Sequence, residues 1–180
     1  MRDPIDRLLE EHQAIMTRLE DLRRAVADLR RRGEAALPDA LPALQAVSLM
    51  MSTDLKAHAR REDEALFPAL EAIFGTAGTP TAVMREEHRA IHARADLFRR
   101  TLHELNEIEH PAIVAGGETL GRLAVKGGSA VALRVTAETV IELIDLHFAK
   151  EEDILFPMAR EVLSPEALAR VAERMEGLGA

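Results

Sequence analysis

The chain of 180 residues has a net charge of −8, and its basic and acidic residues are interleaved. Nucleic-acid binding needs clustered Lys and Arg and stacking aromatics, but aromatics make up only 3% of this chain and Trp and Tyr are absent. Cysteine is also absent, which excludes disulfides, iron–sulfur clusters and thiolate zinc sites. Any metal must therefore be held by imidazole and carboxylate groups.

From the sequence we expect neither a targeting segment nor a membrane-spanning segment. Residues 1–7 lack the apolar stretch of a secretion signal, and no run of about 18 uncharged apolar residues is present. We therefore expect a cytoplasmic protein with no membrane and no nucleic-acid partner. The length suits one domain with its own core, so we predict a single domain over residues 1–180.

A first helix is predicted over residues 4–32. Apolar residues recur there every three or four positions with charged residues opposite, which is the pattern of an amphipathic helix. Asp3 can cap the start, Pro4 suits the first turn and Gly33 can end the helix. His12 falls inside the apolar stripe and is therefore expected to point inward.

A second helix is predicted over residues 38–74. Three consecutive turns of its inward face carry Asp54, His58 and Glu62. Buried polar groups cost stability unless something pairs with them. This face therefore predicts a partner for its polar side chains.

A third helix is predicted over residues 81–109, with His88 at a seam position and His92 one turn further on. A Gly-rich connection over residues 111–129 follows, which we interpret as a loop around a short helix at residues 118–126. Its glycines argue against one long continuous helix.

A fourth helix is predicted over residues 130–162, with His147 and Glu151 facing inward. Ser164, followed by a proline, can cap a short terminal helix over residues 164–176. The chain thus consists of four long helical segments and a short C-terminal one.

Two segments share one plan: a His, a Glu four residues later, and then Leu-Phe-Pro. Residues spaced by four lie on one face of a helix, so each segment presents an imidazole and a carboxylate together. The proline of each segment lies inside a helical pattern, where we expect it to kink or tighten the helix. The two segments run from His58 through Glu62 to Pro68 and from His147 through Glu151 to Pro157.

A second repeat links the first and third helices, because the motif Glu-Glu-His-x-Ala-Ile surrounds both His12 and His88. The chain therefore reads as two helical hairpins related by a pseudo-twofold axis. In an up-down bundle the four histidines of the repeats fall at one level. The sequence predicts an all-α fold: an up-down four-helix bundle over about residues 3–162, with a short extra C-terminal helix.

Four imidazoles and two carboxylates from four helices can hold two metal ions, and each Glu can bridge them. This ligand set suits iron, manganese or zinc, whereas magnesium and calcium prefer more oxygen ligands. Other polar residues are interpreted without a ligand role. We expect Asp54 to be a buried cap or a surface pair, with a role as a metal ligand or as the support of one left as the alternative. We expect Glu11, Glu87 and Glu152 to be solvated charges, and His103 and His110 to lie at the surface.

The paired His-x-x-x-Glu motifs, together with lone histidines at His12 and His88, resemble the hemerythrin-like, or HHE cation-binding, proteins over roughly residues 3–160. The resemblance implies a four-helix bundle holding a non-haem di-iron centre with an oxo or hydroxo bridge. Manganese or zinc would also suit the ligands. As the resemblance implies, one iron takes His12 and His58, the other takes His88 and His147, and Glu62 and Glu151 bridge them.

The resemblance also gives His92 a role, because it matches an extra histidine ligand of the oxygen-carrying hemerythrins, whereas Met16 holds the duplicated place. The carriers usually have an Asp five residues after the histidine of the fourth helix, a slot held here by Glu152. The match with Glu62 within this chain favours Glu151 as the bridge.

Three functions are consistent with this centre. The asymmetric His92 favours a di-iron protein that binds or senses O2 or a related diatomic molecule or peroxide. A di-iron enzyme that processes peroxide or nitric oxide is the first alternative, and an iron storage or sensing module is the second. The sequence favours a binding protein but leaves open whether the chain is an enzyme.

Overall fold

The computed structural model describes residues 2–114 and 128–178 of the chain. The structure is 93% helical, and no strand occurs among the described residues, which confirms the all-α class. The helices are α1 (Pro4–Arg32), α2 (Leu37–Ser52), α3 (Asp54–Arg61), α4 (Phe67–Phe74), α5 (Pro80–Val114), α6 (Gly128–Lys150), α7 (Phe156–Val162) and α8 (Pro165–Gly177). A 3-10 turn covers Gly33–Ala36, and two π-helical turns cover Glu62–Leu66 and Glu151–Leu155.

Helix α1 has the predicted bounds and the predicted caps. The Asp3 carboxylate accepts a hydrogen bond from the Ile5 N–H at 2.8 Å, and Pro4 occupies the first turn. Gly33 ends the helix with φ of 58°, a left-handed conformation that glycine adopts without steric cost. The local sequence therefore determines this helix from end to end.

The second predicted helix is divided into α2, α3, a π turn and α4. The regular α pattern breaks at Thr53, so Leu55 is buried and Asp54 is exposed at the start of α3. The prediction that Asp54 faces inward was therefore wrong. Asp54 lies at the surface, but among the described residues it neither caps a helix nor forms an ion pair, so its interpretation as a buried cap or a surface pair is not confirmed.

The helical turn before the proline of each Leu-Phe-Pro motif is widened into a π turn. This corrects the prediction that each proline kinks or tightens its helix. The π turns begin at Glu62 and at Glu151, and Pro68 and Pro157 lie in the first turn of α4 and α7. A proline has no N–H to donate to the preceding turn. A π turn accommodates this missing bond, and such turns often occur at functional sites.

The third and fourth helical segments extend further into the Gly-rich connection than predicted. Helix α5 reaches Val114 and α6 begins at Gly128, so residues 111–114 and 128–129 are helical and are not part of a loop. The first glycine of the connection is Gly116, which explains why α5 does not end earlier. The short helix predicted at residues 118–126 lies outside the described residues.

The terminal helix α8 is capped as predicted, because the Ser164 Oγ accepts a hydrogen bond from the Ala167 N–H at 3.2 Å. Its buried face, which includes Val171 and Met175, packs against α1 and the first π turn. In the part of the chain that the structure describes, no helix combines the length and the apolar character needed to cross a membrane.

The buried apolar side chains form two clusters. Helix α1 lies against α2 and α6, and α5 lies against the same two helices. Between these four helices lies the long core, which includes Leu19, Leu44, Phe98, Leu133 and Phe148. The short core lies beyond the π turns and includes Ile5, Leu66, Phe67, Phe156 and Met175.

Candidate metal centre

Six histidine and glutamate side chains on four helical segments are almost completely buried. Each exposes at most 3% of its surface. Helix α1 and helix α5 contribute one histidine each. Each His-x-x-x-Glu motif contributes a histidine and a glutamate, and the glutamate is the first residue of a π turn. The six residues are His12, His58, Glu62, His88, His147 and Glu151.

The six side chains form two groups of four that share both carboxylates. One group contains His12 and His58, the other contains His88 and His147, and the ligand atoms of each group lie within 4.8 Å of one another. The sequence prediction of two ligand sets with two shared carboxylates thus has a matching geometry in the structure.

Each carboxylate lies between one histidine of each group. Glu62 Oε2 is 3.4 Å from His58 Nε2 and 3.2 Å from His88 Nε2. Glu151 is 3.2 Å from His12 Nε2 and 3.1 Å from His147 Nε2, through its two different oxygens. This crossed arrangement is the one that a pair of bridging carboxylates requires.

Most of the buried polar atoms at the centre lack hydrogen-bond partners among the described residues. Both carboxylate oxygens of Glu62 and Glu151 are unpaired, as is the Nε2 atom of His88 and of His147. Burying a carboxylate without a donor costs several kcal/mol, roughly, unless a cation compensates it. The donor set therefore fits metal ions better than it fits a closed hydrogen-bond network.

The pair formed by His12 and His58 supports this fit. Their Nε2 atoms are 3.1 Å apart. Two nitrogen ligands at about 2.1 Å from one ion and at right angles would be roughly 3.0 Å apart. If both rings are protonated at Nδ1 alone, two lone pairs face each other, and a cation between them removes the repulsion.

The Nδ1 atom of each of the four histidines faces a carboxylate outside the centre. Because a carboxylate only accepts, the ring donates through Nδ1–H and leaves Nε2 for a metal. We call Glu11, Asp63, Glu87 and Glu152 the outer carboxylates. The pairs are His12 with Glu152 at 2.7 Å, His58 with Glu11 at 3.0 Å, His88 with Asp63 at 3.1 Å and His147 with Glu87 at 3.0 Å.

The prediction that Glu11 and Glu87 are solvated charges was therefore wrong. Glu152 is exposed, as predicted, but it too contacts a histidine. Each outer carboxylate is adjacent in sequence to one of the six central residues and contacts a histidine on another segment. This adjacency, present in both repeats, is the signal that could have revealed them. The structure also distinguishes the two candidates for the shared carboxylate of the fourth helix. Glu151 is completely buried at the centre, whereas the side chain of Glu152 is 45% exposed.

Phenylalanine rings cover one face of two histidines. The His12 ring stacks on Phe148, with ring centroids 3.7 Å apart and planes at 10°. The His88 ring lies over Phe67 at 5.7 Å and 12°. These contacts keep water from the centre and join it to both cores.

His92 lies outside both groups. Its half-buried side chain lines a cleft of about 370 Å³ between α2 and α5, together with Ser48, Met51 and Lys56. Burial, His88 and Lys56 lower the pKa of His92, so the ring is neutral near pH 7. Met16, its counterpart in the repeat, packs against the long core. The ligand role of His92 stays a prediction.

We expect His92→Ala to keep both metal ions, because the six central residues form both groups without it. Metal content per chain after reconstitution with Fe²⁺ measures this directly. His88→Ala is the matched control on the same helix, and we expect it to lose metal. Loss of one ion from His92→Ala would show that this ring binds metal.

Two further histidines are present in the sequence. His103 is exposed on α5, as predicted, and the side chain of His110 lies outside the described residues. No described residue therefore adds a further imidazole to either group.

The comparisons with known proteins agree with this geometry. The family model of the hemerythrin HHE cation-binding domain matches residues 3–111, which is more than half of the chain. The search among curated proteins found no match. The matched segment includes three of the four central histidines and Glu62, and the fold brings His147 and Glu151 to the same place. The chain belongs to the hemerythrin HHE cation-binding domain family.

Proposed function

We propose that this chain is a non-haem di-iron protein that binds or senses O2 or a related small molecule. The observation that carries the proposal is the pair of buried four-residue groups that share Glu62 and Glu151. We further propose that the four long helical segments form an up-down bundle around this centre. This arrangement agrees with the contacts of α1 and α5 with α2 and α6.

The donor chemistry supports iron. Each group offers two imidazole nitrogens and two shared carboxylates, a mixture that suits iron, with manganese or zinc as alternatives. A pair of iron ions in such a site supplies reversible electron exchange with a small oxidant. His12 and His58 would hold one ion, His88 and His147 would hold the other, and Glu62 and Glu151 would be shared.

The protein itself orients the ligands and excludes water. The outer carboxylates hold the Nδ1–H of each ring, so Nε2 points to the centre. Almost complete burial of the six residues limits access to small molecules. The centre is therefore suited to selecting a diatomic or similarly small ligand over larger substrates.

Iron analysis and optical titration test the proposal. We expect about two iron ions per chain after anaerobic reconstitution, because two groups of ligands are present. The reduced, loaded protein should then show a visible absorption change on exposure to O2 that reverses when O2 is removed. His58→Ala serves as the control that should show neither property.

Other experimental outcomes would assign a different function to the centre. Steady-state consumption of peroxide or nitric oxide by the loaded protein would assign catalysis at the same centre. Uptake of iron without any response to O2, nitric oxide or peroxide would assign storage or sensing of iron itself. A preparation that binds only zinc would refute the iron proposal. The cytoplasmic location and the single-domain organisation also remain predictions.

A further inference from the structure

The outer carboxylates differ in how they are themselves held. Cations pair with three of them at the surface of the bundle. These pairs are Asp63 with Arg85 at 3.1 Å, Glu11 with Arg7 at 3.1 Å and with Arg61 at 3.2 Å, and Glu87 with Lys150. Each histidine that donates to one of these three carboxylates therefore contacts a carboxylate that is itself paired with at least one cation.

Glu152 is the exception. Within residues 2–114 and 128–178, its only ion pair is the one with His12. Its side chain is 45% exposed, compared with 22% for Glu11, 24% for Glu87 and 32% for Asp63. Its distance to His12 Nδ1, 2.7 Å, is the shortest of the four. However, no cation restrains this exposed carboxylate when that bond opens, so we expect it to reposition its partner ring less reliably than the other three.

One substitution within the sequence repeat explains the difference. His88 is preceded by Arg85-Glu-Glu, whereas His12 is preceded by Leu9-Glu-Glu. Arg85 lies three residues before its histidine and pairs with the carboxylate that holds that histidine. Leu9 occupies the equivalent position on α1 and provides no charge for Glu152.

Arg85 is itself anchored. It also donates to the Glu71 carboxylate at 3.2 Å, and its guanidinium lies 5.2 Å from the centre of the Phe67 ring. Phe67 in turn stacks on His88. In the other ligand group, His12 stacks closely on Phe148. Stacking restrains the tilt of a ring but allows a 180° flip about the Cβ–Cγ bond, which exchanges the positions of nitrogen and carbon atoms. The bond to Glu152 opposes this flip in His12.

We propose that the metal site containing His12 and His58 is the exchangeable one, and that Glu152 is the positioning residue that controls its exchange. The absence of a cation at Leu9 makes this site release and take up its ion faster than the site containing His88 and His147. The inference rests on the proposed function only in requiring two bound metal ions. It concerns divalent iron and does not depend on which small molecule the centre binds.

Release of iron to a chelator tests the inference. Protein loaded anaerobically with Fe²⁺ is mixed with an excess of a chromogenic Fe²⁺ chelator, and colour is followed over time. We expect two phases of equal amplitude, one for each ion. Glu152→Ala should accelerate the fast phase alone by about tenfold or more, because removing a carboxylate that orients a metal-bound histidine typically weakens metal affinity by about 10- to 100-fold and we expect the loss to appear in the release rate. Glu152→Gln keeps an acceptor oxygen and should have a smaller effect.

The repeat provides a matched exchange of residues. Leu9→Arg should give Glu152 a cation and slow the fast phase, while Arg85→Leu should remove the cation from Asp63 and accelerate the slow phase. The exposed Asp153→Ala is the control with no expected effect. Helical circular dichroism and the initial iron content show that each variant is folded and loaded before release begins.

The outcomes separate this inference from the proposed function. Failure of the folded chain to hold two iron ions refutes the proposed function. Two ions that leave at one common rate, or rates that do not respond to Leu9→Arg and Arg85→Leu, refute the inference alone. Equal acceleration of both phases by Glu152→Ala also overturns it, because it would show a general loosening of the centre.

Discussion

Replacing Glu62 or Glu151 with Ala is expected to abolish binding of both metal ions at once, because each carboxylate belongs to both ligand groups. The wild-type chain should melt at a higher temperature when metal is added, and the variants should lose this increase. At free metal 1,000-fold above Kd, one site adds about 4 kcal/mol, which is roughly 10 °C for a chain of this size. Differential scanning calorimetry with and without metal measures the difference.

Two comparisons make this result specific. Asp153→Ala removes an exposed carboxylate from the same π turn and should leave metal content and the metal-dependent rise in melting temperature unchanged. His88→Ala removes a ligand from one group only, so it should weaken one site more than the other. A Glu62→Ala protein that still binds two ions would show that the shared carboxylates are not bridging ligands.

Metal binding at pH 7 is expected to release at least about two protons, because the metal-free centre holds protons where the ions would lie. Burial opposes the charged form of His58, but Glu62, Glu11 and Glu151 outweigh it and raise its pKa to about 10. Burial likewise opposes the charged form of His88, and Asp63 and Glu62 raise its pKa to about 9. Calorimetric titration with Zn²⁺, a redox-silent probe, in buffers of different ionisation enthalpy counts the protons released.

The same shifts determine how the stability of the metal-free protein depends on pH. A histidine with a raised pKa stabilises the fold fully below its unfolded pKa of about 6.5 and loses that contribution as pH rises through its folded pKa. The free energy of unfolding should therefore fall between about pH 6.5 and pH 10. The lowered pKa of Glu151, which His12, His147 and His58 hold down against burial, adds stability above about pH 4.5 that is lost on acidification.

Urea unfolding of the metal-free protein across this range measures the effect. His58→Ala and His88→Ala should each flatten the decline above pH 6.5, since each removes one raised pKa. His103→Ala, which changes an exposed histidine, is the control that should leave the profile unchanged. A wild-type profile without a decline between pH 6.5 and pH 10 would contradict the protonated state assigned to the metal-free centre.

The position of the centre along the helices could be predicted from the sequence because it depends only on the spacing between residues. The caps at Asp3 and Ser164 mark where α1 and α8 begin. The duplicated motifs then place four histidines at equivalent heights on their helices. Periodicity and capping are local properties, so a single sequence contains them.

The π turns could not be predicted in the same way, and the outer carboxylates are marked in the sequence only by their adjacency to the central residues. A missing N–H at Pro68 or Pro157 can be accommodated by a kink, a tightened turn or a widened turn, and packing below the centre decides among them. Glu11 and Glu87 follow a glutamate and look like ordinary surface charges until the neighbouring helix is in place. Their role depends on the approach of two segments, which residue spacing on one helix does not show.

The two cores divide the metal-free protein into two halves, and bound metal ions would join these halves. The long core and the short core have separate sets of buried apolar residues, and the layer between them consists of imidazoles and carboxylates. Without metal, this layer contributes little apolar attraction, so each core can open as its own cooperative unit. With two ions bound to ligands from all four segments, opening either half must break metal bonds, and the chain should unfold as one unit.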